Sequence, residues 1–202
     1  NTDIDYSDSA GEGGEEGVAG NDGLIIIYYT QQATTTYSGT VYSDAGSTAL
    51  TTQPDISMYL DGVLTATTTA STSGAFSLEF YGPSIGGSIV AFLDNETEDA
   101  SRVMTVSSST AAETGFDLYE DYVIVSSQEG GTNTVTDLAS YDSTDDADIL
   151  YTASSTLDSL EILSSNTLYV PSGSTLTLPA STTLPGGVDI AGTLQSTYSI
   201  DT

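Results

Sequence analysis

The sequence predicts an all-β protein, and three observations lead there. Period-two alternation of apolar and polar residues recurs along the chain between Gly, Asp, Asn and Ser punctuation, whereas the 3.6-residue repeat of an amphipathic helix is hard to find. The 32 Thr and 29 Ser, just under a third of the 202 residues, favour strands and turns. Hydrophobic residues make up 38% of the chain, enough for a core.

Taken in order, the chain opens on a polar, Gly-rich head, "NTDIDYSDSAGEGGEEGVAG", that cannot pack a core by itself; residues 1–36 read as an extended acidic arm. Within it stand six consecutive apolar or aromatic residues, Leu24, Ile25, Ile26, Ile27, Tyr28 and Tyr29, a strand that wants cover on both faces. "ISMYLDGVLTATTT", Ile56 to Thr69, is the clearest hairpin: Ile56, Met58 and Leu60 alternate, Asp61-Gly62 makes a two-residue turn, and a Thr-rich strand returns. "AFSLEF" points Phe76, Leu78 and Phe80 to one face. "SIVAFL", Ser88 to Leu93, reads as a more fully buried strand, and "SRVMTV", "FDLY" and "YVIV" complete the series.

The run from Tyr37 to Val106, with its "G-x-V" opening strand at Gly39 to Val41 and its "T-x-x-x-S-G-x-F" turn from Thr69 to Phe76, resembles the Ig-like modules of the carboxypeptidase-regulatory or Cna-B type repeated in large bacterial surface proteins. The wider stretch to Leu178 is similar to repeat-bearing secreted bacterial proteins. The resemblance implies an Ig-like β-sandwich over residues 37–126 at the cell surface, with no catalytic residues. The chain departs from isopeptide-bearing Cna-B modules in having no Lys, so covalent stapling is not implied.

Residues 127–202 change texture. "TLYVP", Thr167 to Pro171, recurs as "TLTLP", Thr175 to Pro179, and "TTLP" follows at Thr182 to Pro185. The eight-residue beat suggests short stacked strands, as in a β-roll, while a hairpin pair closing a second small sandwich fits equally. Pro171, Pro179 and Pro185 cap these strands and discourage pairing at an edge.

Composition removes whole classes of function. Twenty-nine acidic residues face one basic residue, Arg102, for a net charge of −28. Such a surface repels nucleic acid and anionic lipid, both of which are bound through Lys or Arg. Without His, Cys or Lys there is no imidazole base, thiolate or Schiff base, and no soft-ligand metal site. Carboxylate pairs raise the thought of a glycosidase, but among so many acids chance pairs are inevitable, and no Trp or His lines a sugar cleft. The expectation is that the protein is not an enzyme. No stretch reaches the 18 or so apolar residues of a membrane span. The hydroxyl-rich composition and the start at Asn1 read as a mature secreted chain.

Two acidic loops are candidate calcium ligands, because hard oxygen donors suit Ca²⁺. One holds Asp94, Asn95, Glu96, Glu98 and Asp99; the other holds Asp142, Asp145, Asp146 and Asp148. Neither meets the EF-hand spacing, and solvated turns read the same way. Asn95-Glu96-Thr97 fits the N-glycosylation sequon.

Two environments satisfy Leu24 to Tyr29: the first strand of its own sandwich, or the sheet of a neighbouring subunit completed by strand donation. Donation passed head to tail does not close and builds a filament. The expectation is therefore a structural subunit of an extracellular, pilus-like surface fibre, its partner another copy of itself, working in attachment or matrix. The alternative is a non-polymerising Ig-like adhesin or stalk module of a larger surface protein that binds surface glycans.

Overall fold

The computed structural model describes residues 34–83, 85–106 and 112–196. The strand predicted at Leu24–Tyr29 and the arm predicted over residues 1–36 fall, up to residue 33, outside the described residues. The first strands are β1 (Thr34–Tyr42), β2 (Asp55–Leu60), β3 (Val63–Thr69), β4 (Ala75–Tyr81), β5 (Ser88–Leu93) and β6 (Ser101–Thr105). Two short strands, β7 (Glu113–Thr114) and β8 (Leu118–Tyr119), lead into β9 (Tyr122–Ser127), and β10 (Thr132–Asn133) precedes the one-turn helix α1 (Val135–Leu138). The rest is β11 (Tyr151–Ser154), β12 (Ser159–Ile162), β13 (Thr167–Val170), β14 (Thr175–Leu178), β15 (Ser181–Thr183), β16 (Val188–Ile190) and β17 (Thr193–Ser196). The protein is all-β.

A seven-stranded sheet, ordered β16-β13-β9-β6-β5-β2-β3, forms the spine. The β2–β3 hairpin turns where the sequence expects it, with Asp61 and Gly62 both at positive φ, 49° and 79°, the backbone a tight two-residue turn requires. A smaller sheet, β4-β1-β7 with β8 also on β1, packs against one face of the spine. Alternation decides that contact: Phe76, Leu78 and Phe80 of β4, with Tyr37 and Val41 of β1, meet Ile56, Met58, Ile89, Ala91 and Met104.

The opposite face of the spine is also covered. Val90, Phe92, Val103, Val123 and Val125 pack with Leu138 of α1, Tyr151 and Leu160 of the β11–β12 hairpin, and Leu168 and Leu176 further on. This double cover explains why all six residues of β5 are buried. Each large apolar side chain sealed this way contributes about 1.5–3 kcal/mol.

From β12 onward the chain winds as a coil. β13 pairs in parallel with β9 and then β16, β14 with β10 and then β17, and β15 with β12. "TLYVP" and "TLTLP" do not stack on each other; they are successive sides of one turn. The stacking partners are Leu168 on Val188 and Leu176 on Leu194, 20 and 18 residues apart. The eight-residue beat measures the length of a side. Because β13 and β16 belong to the spine, the C-terminal strands share a sheet with β5 and β6.

Candidate functional site

The two acidic loops come from different parts of the sequence and meet in the fold. The 94–100 loop joins β5 to β6, the 141–149 loop precedes β11, and the Asn95 N–H donates to the Asp148 carboxylate at 2.5 Å. Most of their carboxylates accept hydrogen bonds from the chain itself. Asp142 accepts from the N–H groups of Thr144 and Ala153, Asp145 from that of Asp142, and Asp146 from that of Asp148. Glu96 accepts from the Asp55 N–H, and Asp94 from the Ser57 hydroxyl and the Asn95 side-chain amide. Glu98 accepts from the Thr97 hydroxyl. Acids of this kind hold turns, since a carboxylate is a strong acceptor for otherwise orphaned N–H groups. Among the described residues no group of three or more carboxylates gathers as metal ligands would.

Asp99 stands apart. Burial pushes its pKa up, and the charges of Asp148, Asp121 and Glu98 push the same way. Glu120 is raised too, by burial and by Asp121, Glu98 and Asp99. Asp99 and Asp121 line a cleft of about 360 Å³ with Ile149, Leu163, Ser164 and Asn166. The sequon residue Asn95 is exposed, at φ 58°, on the rim of this acidic region.

A second feature was hidden in the sequence. Tyr42, Tyr119, Tyr122 and Tyr169, all half-buried, form one ledge, with Tyr119 at its centre and the other three rings 5.7–5.9 Å from it. Tyr122 and Tyr169 come from β9 and β13, neighbours that are 47 positions apart in the chain; only the parallel register of those strands brings them together. Burial raises the Tyr119 pKa, with Asp117 and Tyr169 adding to the rise and Arg102 opposing it.

The edges of the sheets complete the picture. β3 and β4 are the outer strands of the large and small sheets on the same side, and they pack against each other. No helix among the described residues is long and apolar enough to cross a membrane. Compared with family models, curated proteins and solved structures, the chain matches none.

Proposed function

We propose that this protein is the structural subunit of an extracellular surface filament. It polymerises head to tail by donating the strand Leu24–Tyr29 to a neighbouring copy, and it serves attachment or matrix. In this reading the two packed sheets are the Ig-like sandwich that the resemblance implies. The observation that carries the reading is a contrast of charge and polarity. In a chain of net charge −28, residues 24–43 hold no charged side chain and include six apolar or aromatic residues in a row. A strand with two apolar faces needs cover on both, which a sheet edge in a neighbour supplies. Electron microscopy of the native material tests this directly, with regular fibres expected. Deleting residues 1–30 should leave a folded chain that no longer polymerises; normal fibres from the truncated chain would sink the reading.

The tyrosine ledge favours a second reading, a non-polymerising adhesin or stalk module that binds glycans. Tyr rings offer an apolar face and a hydroxyl together, which suits a neutral sugar. That reading expects a monomer retained on immobilised neutral glycans, with retention lost in Tyr169→Ala.

A further inference from the structure

Four large apolar side chains stand exposed at one end of the two packed sheets: Val63 at 66%, Leu64 at 52%, Tyr81 at 62% and Ile85 at 72%. The register gathers them. Val63 pairs with Leu60 across the hairpin turn, and Leu60 pairs with Ile89. The Asp61 N–H donates to the Ser88 carbonyl, while the Ser88 N–H donates to the Asp61 carboxylate, so the 82–87 loop carrying Ile85 enters β5 here. β4 leaves β3 through a short connection at the far end and returns to finish at Tyr81.

The chain enters β1 at this same end, because Thr34 pairs with Tyr81. Five peptide steps separate Thr34 from Tyr29, a reach of about 17 Å at full extension. The described chain therefore begins beside the exposed patch, and Tyr29 is tethered within that reach of Thr34.

We propose that β3 is the acceptor edge: Leu24–Tyr29 of a neighbouring copy adds to it as an eighth strand of the large sheet and covers Val63 and Leu64. The inference rests on the donated-strand reading of function. β3 is seven residues long and carries no charged residue, and among the described residues it pairs on one side only, with β2. Its length accommodates a six-residue strand. Val63 and Leu64 are consecutive, so they point to opposite faces of the sheet, and both are uncovered. A strand with Leu24, Ile26 and Tyr28 on one face and Ile25, Ile27 and Tyr29 on the other matches that need. Both partners are uncharged, which matters when each copy carries −28.

The test uses full-length chains mixed in pairs. A Leu64→Asp copy can donate but not accept, and an Ile26→Asp copy can accept but not donate. Sedimentation should show each variant alone as a monomer and the mixture as a one-to-one pair that grows no longer. The chain has no Cys, so an Ile26→Cys copy mixed with a Leu64→Cys copy should give a disulfide-linked pair on mild oxidation, whereas Thr193→Cys on β17 should give none. This second measurement does not depend on whether the Asp variants fold. Fibres from Leu64→Asp with normal length would overturn β3 as the acceptor and leave the filament reading standing. Wild-type chains that stay monomeric, with a doubly substituted Ile26→Cys, Leu64→Cys chain bridging within itself, would overturn the exchange and the filament reading together.

Discussion

Arg102 is the single basic residue of the chain, and it is buried. Its Nε donates to the Ser126 hydroxyl at 3.0 Å, and its Nη1 donates to the carbonyls of Gly115 and Asp117 at 3.3 and 3.0 Å. The guanidinium also lies 4.7 Å from the centre of the Phe116 ring. Burial pulls its pKa down, and the charges of Asp117 and Glu113 pull it back up. The side chain thus ties the 115–117 segment, between β7 and β8, onto β6 and β9. Arg102→Met keeps much of the volume but removes the donors to the buried Ser126 hydroxyl and to the two loop carbonyls, and should cost about 1–3 kcal/mol. Urea unfolding would show a lower midpoint at an unchanged slope. Nothing in "SRVMTV" announces this role, because the carbonyls it holds arrive from 13 and 15 residues away.

Asp99 gives the opposite kind of residue effect. Its folded pKa lies above the ordinary 3.8, so the unfolded chain releases this proton more readily than the folded one. The stabilising contribution is complete below 3.8 and is lost as pH rises through the folded value. At pH 7 the ionised group is a burden on the fold, modest because the side chain is largely in water. Asp99→Asn should therefore unfold at a higher temperature than wild type at pH 7, and the gap should close as pH falls below 3.8, where the carboxyl is protonated in both the folded and the unfolded chain. A gap independent of pH would mean that packing, not charge, sets the difference.

At the scale of elements, what was legible in the sequence was local. Asp61-Gly62 marked the hairpin, the alternation in "AFSLEF" put Phe76, Leu78 and Phe80 inside, and the unbroken "SIVAFL" marked a strand covered on both faces. The coil was only half legible. Its parallel partners lie 18 to 22 residues apart, while the visible repeat reports the corners between sides. The tyrosine ledge was not legible at all, since it depends on the same long-range register. Corners also impose close contact between turns. A Cβ on Gly186 would sit 2.1 Å from the Asn166 carbonyl oxygen. Gly186→Ala must push successive turns apart and should cost about 1–3 kcal/mol. Hydrogen exchange should locate the loss in β13 and β16, with β2 and β3 unchanged; a uniform acceleration would show that the coil and the sandwich unfold as one unit.

At the scale of the whole molecule, the acidic loops and the exposed apolar patch lie at opposite ends of β5. β5 starts beside Asp61, Val63 and the Ile85 loop and ends at the 94–100 loop, so the acidic region of Asp99, Asp121 and Asp148 lies one strand length away from the apolar end. Six residues of strand span about 20 Å. That distance is about two Debye lengths at 0.1 M salt and less than one at 0.01 M, where the screening length is about 30 Å. A contact made at the apolar end therefore feels little of the acidic loops at physiological salt and much of them in dilute buffer. The sequence before Leu24 adds charge: Asp3, Asp5, Asp8, Glu12, Glu15, Glu16 and Asp22 precede it in the chain. Fibre mass measured by sedimentation from dissociated subunits should rise steeply with salt up to about 0.1 M and then level off. It should also rise with added Ca²⁺, or as pH falls towards about 4 to 5, where carboxylates take up protons. Removing residues 1–20 while keeping Leu24–Tyr29 should flatten the salt dependence, because six of the seven acidic residues that precede Leu24 are gone. Assembly that ignores salt, Ca²⁺ and pH alike would mean that the acidic groups, Asp61 beside Val63 and Asp22 just before Leu24 included, do not set the affinity, which the apolar segment would then carry alone.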